Sequence, residues 1–189
     1  MTHHFNDLEI ELFRSDRRTI SIEIKVSGII VRAPRHMTSD EISKFLNRKK
    51  DWIQKHHERM QEYQETLKQL EPYTAEELHQ LAEKALVVIP KKVKHYAPLV
   101  GVDYSRITIR SQHTRWGSCS NKGNLNFNCL LMLLPDNVID SIIVHELCHR
   151  KHMDHSARFY AELERVFPEY KHCDQWLKEN GRLYLSRLP

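Results

Sequence analysis

The chain has 189 residues, enough for one hydrophobic core or for one core with an appendage, and too few for two independent domains of ordinary size. With 40% apolar and 29% charged residues, five glycines and seven prolines, its composition excludes a disordered or collagen-like chain. The formal charge of +4 is unevenly placed, since Arg14 to Lys55 carries eleven Lys/Arg against five Asp/Glu while Asp136 to the end carries eight against nine; the basic excess either meets an anionic partner or is a solvated face.

In chain order, Leu8, Ile10 and Leu12, then Ile20, Ile22, Ile24 and Val26, alternate with polar residues as half-buried strands do. Ser27-Gly28 turns the chain into Ile29-Ile30-Val31, so the expectation is a small antiparallel sheet. Thr38 followed by Glu41 makes a capping box, and Ile42, Phe45, Leu46, Trp52 and Ile53 recur at helical spacing. This predicts one long helix to about Leu67, with Phe45, Trp52 and Met60 as its core stripe. Glu71-Pro72-Tyr73 interrupts it. Thr74 and Glu77 cap a second helix that carries Leu78, Leu81, Ala82, Ala85 and Leu86, meets Pro90 and ends by Gly101. Arg106 to Arg110 alternates as a strand, a polar loop follows, and the turn Asn121-Lys122-Gly123 leads into a second strand, Leu125 to Asn128. From Pro135 the pattern is helical again: Pro suits the first helical position, and Asp136 and Asp140 suit the positive end of the helix dipole.

No window approaches the roughly 18 consecutive apolar residues of a membrane span, and the polar start Met-Thr-His-His-Phe-Asn lacks a secretory apolar core, so a cytoplasmic chain without a membrane partner is expected. Cys119, Cys129, Cys148 and Cys173 form no CxxC pair, which argues for reduced thiols over a thiolate metal site or a disulfide framework.

The chemistry lies in His145-Glu146-Leu147-Cys148-His149. Two histidines four residues apart on a helix stand about 40° apart on its surface, so both imidazoles reach one ion, and Glu146 reaches a water on that ion. Val138, Ile139, Ile142, Ile143 and Val144 make the helix almost wholly apolar, and burying His, Glu and His in it unpartnered would cost several kcal/mol, which a metal removes. The bland alternative is a pair of core histidines bonded to carbonyls, with Glu146 paired to an arginine.

A third ligand would come from His155, six residues beyond His149 and past an expected helix end at Lys151-His152-Met153, or from Glu162 on the following helix; His155 is favoured. The spacing is that of the metzincins, yet His152 holds their glycine position and no methionine follows Met153. His152 and Asp154 are expected to face solvent or cap the next helix, and His172 to lie on the surface. In the Arg110 to Ser120 loop, Arg115 either steadies an oxyanion or pairs with a carboxylate, and Trp116 either places a substrate or fills the core. Leu125 to Asn128 is a candidate edge strand for an extended peptide. Tyr160 and Tyr170 read as packing residues more than as hydrogen-bond donors to substrate.

Together with Arg115-Trp116-Gly117-Ser118-Cys119-Ser120, and with Asp154-His155-Ser156 and Phe159, the HExxH run resembles the YgjP-like metal-dependent hydrolases, relatives of the SprT-type zincins, over most of the chain. The resemblance implies a zincin-like α+β fold, one zinc ion on His145, His149 and His155, and Glu146 as catalyst. The expected organisation is a single domain, 1–189, with strands and a long helix in 1–70 and the metal-binding part in 71–189. Zinc on three neutral imidazoles keeps an open position and acidifies a water, while Glu146 acts as general base and then general acid. Manganese, nickel or cobalt would also fit.

The family is described both as peptidases and as nucleoside triphosphate pyrophosphohydrolases, so peptide and nucleotide substrates both stand. Lys91, Lys92, Lys94, Arg106, Arg110 and Arg115 offer the nucleotide a basic lead, although no Walker-type phosphate loop is present. A third reading is a protease recruited to nucleic acid through the basic helix around Arg48-Lys49-Lys50, as SprT relatives are. Oligomeric state leaves no signature in the sequence.

Overall fold

Burial decides the strand order of the N-terminal sheet. The computed structural model describes residues 2–5, of which the backbone alone, 8–25 and 27–189; Val26, expected at the end of a strand, lies outside the described residues. The chain divides into two compact units, Met1–Leu70 and Glu71–Pro189, each with its own core. In the first unit β1 (Thr2–Phe5), β2 (Leu8–Ser15), β3 (Ser21–Lys25) and β4 (Gly28–Pro34) form one sheet in the order β1-β2-β4-β3. The outer pairs are antiparallel as expected, but the central pair, β2 with β4, is parallel, with Ile10 opposite Ile29 and Leu12 opposite Val31. The physical reason for this correction is that β4 is buried on both faces along nearly its whole length and takes an interior position, whereas half-exposed β3 goes to the edge. With β3 outside it, β4 turns its other side to β2, and an up-down-up path makes that pair parallel.

The long helix predicted from Thr38 is two helices, α1 (Ser39–Arg48) and α2 (Lys50–Gln69). The Thr38–Glu41 capping box starts α1, and Lys49, at φ −104° and ψ 8°, breaks the run. That break shifts the helical phase. Ile42, Leu46 and Ile53 join Ile10, Ile29 and Val31 in the core, while Trp52, expected there, is 43% exposed with its ring 4.1 Å from that of His56.

In the second unit the Thr74–Glu77 box caps α3 (Ala75–Val100). Pro90 lies inside this helix without ending it. The carbonyl it deprives of a partner is that of Leu86, which sits on the solvent face, and the buried row Ala85, Ile89, Val93, Ala97 and Val100 holds the opposite face. Gly101, at φ 76°, closes the helix in the left-handed conformation that glycine adopts without strain.

Strands β5 (Arg106–Arg110), β6 (Gly117–Cys119) and β7 (Asn124–Asn128) follow, in the order β5-β7-β6, with β5 parallel and β6 antiparallel to β7. The segment 125–128 is therefore the middle of this sheet and not the edge expected for a peptide; the outer strands are β5 and the half-buried β6. Leu125 and Phe127 explain the correction, since both are driven into the core at 0% and 1% exposure and carry β7 inward with them.

A 3-10 turn (Cys129–Leu133) leads to Pro135, which sits at the N-cap of α4 (Asp136–Cys148), one residue before the position expected. Lys92 of α3 bridges Asp136 and Asp140 at 2.8 and 2.7 Å, tying the start of α4 to α3. Then come α5 (Ala157–Val166), α6 (Tyr170–Trp176), a π-turn (Leu177–Gly181) and α7 (Arg182–Leu185). The fold is α+β, and no helix among the described residues is long and apolar enough to cross a membrane.

Candidate metal centre and its cavity

Helix α4 is buried on most of its circumference, and its second half carries the titratable residues. Ile143, Val144, Leu147 and Cys148 are fully buried, while His145 and His149 share one half-buried stripe. Their Nε2 atoms lie 3.2 Å apart, and the Nε2 of His155 lies 3.1 Å from that of His145. The three rings are the one group of His, Cys, Asp or Glu side chains among the described residues whose ligand atoms all lie within 4.8 Å of one another.

The return of His155 has a local cause. After α4 the chain turns through Arg150–Lys151, and the Asp154 carboxylate accepts hydrogen bonds from the side chain and backbone of Ser156 at the mouth of α5, which lower its pKa. Phe159, one turn into α5 and fully buried, lies under all three imidazoles, with ring centroids 4.8, 4.6 and 4.9 Å from His145, His149 and His155. Nδ1–H of His149 donates to the His152 carbonyl at 3.0 Å, which leaves its Nε2 as a lone-pair donor. His152 thus serves through its backbone, and His172 is exposed.

Glu162, the rival ligand, is occupied elsewhere. Arg165 and Lys151 each approach its Oε1 at 2.7 Å, and the hydrogen bond from Arg165, ahead of that from Lys151, holds its carboxyl down at about 2.

The donor set suits a cation. Burial first, and then the charges of His149 and His155, push His145 down to about 4, and burial likewise lowers His149, so these rings are neutral donors at pH 7. Ring nitrogens of three histidines converge here, and one ion would satisfy all three. Nitrogens at about 2.0–2.1 Å from a tetrahedral zinc stand roughly 3.3 Å apart, close to the 3.1 and 3.2 Å observed.

Glu146 is 6% exposed, and burial pushes its carboxyl up to about 8 against the opposing charge of Arg115. Its side chain lies against Gly117 of β6, where a Cβ would stand 2.7 Å from both Cγ and Oε1. Beside it opens a cavity of about 290 Å³, to which His145, Glu146, Arg115 and Trp116 contribute. Arg115 is held there through its backbone: the buried Asn128 side chain donates to the carbonyls of Gln112 and Arg115 at 2.7 and 3.0 Å and accepts from Leu130 N–H at 3.1 Å. Trp116 packs partly on the core and also lines the cavity.

Sequence reasoning missed several walls of this cavity. Tyr160 and Tyr170, read as packing more than as donors to substrate, both line it, with Tyr160 41% exposed, and Asp174 and Leu177 join them from the C-terminal segment. Ile142, one turn before His145 on the same face, was within reach of helical periodicity; α6 offers no motif that points to a site. Of the six basic residues that formed the expected lead toward a nucleotide, Arg115 alone lines the cavity, and Lys92 is taken up by Asp136 and Asp140.

A comparison with curated proteins returns no match. Among solved structures the chain is similar to the metallopeptidase zymogen abylysin of Pyrococcus abyssi, at 25% identity over 50% of this chain and 97% of that one, with a TM-score of 0.46. The family described as YgjP-like, metallopeptidase domain, matches residues 18–81 and 74–180, most of the sequence, so the chain belongs to that family and is a metal-dependent hydrolase.

Proposed function

We propose that the chain is a zinc metallopeptidase in which His145, His149 and His155 hold the ion and Glu146 is the general base. The observation that carries this reading is the convergence of three Nε2 atoms beside a buried carboxylate that faces a cavity. A bound zinc ion supplies Lewis acidity, polarising the scissile carbonyl and bringing the pKa of a water toward about 7.

Glu146 takes a proton from the attacking water and returns it to the departing amine. A carboxyl raised toward neutrality both accepts and releases a proton near pH 7, which is the tuning a general acid–base group needs. Arg115, at the same end of the cavity, meets the negative charge that develops on the carbonyl oxygen. The peptide backbone would lie along the edge strand β6, with Glu146 packed against it at Gly117. The cavity supports peptide over nucleotide, since about 290 Å³ is at the bottom of the range for small-molecule sites and Arg115 is its single basic lining residue.

The test is elemental analysis of the purified wild type beside His145→Ala and His155→Ala, followed by product analysis of the loaded protein. The expected result is one zinc per chain, lost in both variants, and new amines from casein-derived peptides. Metal retained in His155→Ala would remove that ligand, and pyrophosphate released from nucleotides in place of amines would overturn the peptidase reading.

A further inference from the structure

We infer that the cavity beside Glu146 is a side-chain pocket for a large apolar or aromatic residue next to the scissile bond, and that α6 with its π-turn sets this preference. The inference rests on the peptidase reading above and adds to it the class of peptide taken. Ile142 and Leu163, 7% and 2% exposed, place apolar side chains from α4 and α5 on the cavity. Tyr160 and Tyr170 stack at 6.1 Å and 23° to make an aromatic wall, and Trp116 and Leu177 add further apolar surface.

The charges are at the margins. Arg115 belongs to the catalytic end, beside Glu146. Asp174, its side chain 56% exposed, is tied to Lys178 at 2.6 Å and its charge also acts on His145, so it belongs with Arg115 toward the catalytic end. A charged substrate side chain entering between Ile142 and Leu163 would therefore lose its water against apolar surface, whereas an apolar one gains from Ile142, Leu163, Trp116, Leu177 and the two tyrosine rings.

The C-terminal segment fixes the width. The π-turn brings Gly181 so close to Trp116 that a Cβ on the glycine would stand 3.2 Å from the indole Nε1 and 3.4 Å from Leu177 Cδ2. Single π-turns inside helices are frequent at functional sites, where they re-aim side chains. In this chain the turn sets Leu177 and Trp116 on the same cavity.

The test uses the zinc-loaded full chain on a mixture of peptides from a digested denatured protein, with cleavage sites read by mass spectrometry. The expected result is Phe, Tyr, Leu or Met at one position flanking the cut, favoured at least about tenfold over Asp, Lys and Gly. Leu177→Trp narrows the pocket and should move the preference to Ala and Ser; Leu177→Ala widens it and should move the preference toward Trp. Cleavage without preference, a preference for charged residues, or a preference unmoved in both variants would overturn the inference while leaving the peptidase reading intact. If no peptide is cut, the peptidase reading falls, and binding decides the pocket. Calorimetric titration should then show N-acetylphenylalaninamide binding at least about tenfold tighter than N-acetyllysinamide, and equal affinity would overturn the selectivity.

Discussion

Gly117→Ala puts the placement of Glu146 under direct test. The positive-φ glycines are Gly28, Gly101 and Gly123, so alanine at 117 meets no backbone strain and the perturbation is its methyl group alone. That carbon would stand 2.7 Å from Cγ and Oε1 of Glu146 and 2.9 Å from Cδ. Ordinary carbon contacts begin near 3.5 Å, so the carboxylate must withdraw by about 0.8 Å. A misplacement of that order at a catalytic group costs about 100-fold in rate, equivalent to roughly 2.7 kcal/mol of barrier. Folding should suffer less, about 1–2 kcal/mol, because the atoms that move are the far end of a flexible side chain. The assay is kcat and KM on a peptide substrate, with metal content and thermal melting measured on the same preparations. The expected outcome is a fall mainly in kcat, one metal per chain retained, and a melting temperature lower by a few degrees. In the Glu146→Asp background, where the shorter side chain has already withdrawn, adding Gly117→Ala should cost little more. Wild-type kcat in Gly117→Ala would refute the placement, as would full additivity of the two changes.

Glu146→Gln should keep its zinc and its melting temperature while losing about 10²–10⁴-fold in kcat, and elemental analysis beside steady-state kinetics checks both halves. Arg165 and Lys151 depress Glu162 to about 2 from 4.5, so its contribution to stability is fully present above pH 4.5 and is lost as pH falls toward 2. Urea unfolding of Glu162→Gln should show a deficit of about 1–2 kcal/mol at pH 6.5, after allowance for the exposure of Arg165, and the deficit should close by pH 2; a gap that persists there would contradict the ion-pair origin. Asn128→Ala strands the buried N–H of Leu130 and frees the Arg115 loop. A loss of about 2–3 kcal/mol in unfolding free energy is expected, with a larger fall in kcat than in metal content; an unchanged kcat would detach Arg115 from catalysis.

What the sequence made legible were the features whose signal is local. Both capping boxes, the alternating strands and the HExxH stripe depend on residues within a few positions of one another, and the structure has them where the pattern places them. Strand order was not of this kind, because whether Ile29-Ile30-Val31 lies inside a sheet or at its edge depends on what covers its second face. Trp52 was misplaced because a single non-helical residue, Lys49, shifts every later position around the helix. His155 stood between the two cases: its spacing permitted the return, but the hydrogen bonds of Asp154 with Ser156 and the Phe159 platform are what bring the ring to its partners. Asp174 and Leu177 reach the cavity through tertiary packing of the C-terminal segment, and no short pattern marks them.

The site also shows how a buried helix accommodates polar chemistry. Residues 142, 145, 146 and 149 form one stripe of α4, and the rest of the helix is committed to the core by Ile143, Val144, Leu147 and Cys148. Beneath the histidines the protein places a large fully buried ring, Phe159, which restricts the imidazoles by contact without offering them a hydrogen bond. Against the glutamate β6 presents Gly117, so that the carboxylate lies close to the strand's backbone. Filling that gap with an apolar side chain would shield more surface, yet it would also push the carboxylate away from the imidazoles. On the proposed mechanism the glycine is a position where packing yields to catalysis, which is the usual direction of the trade between stability and activity.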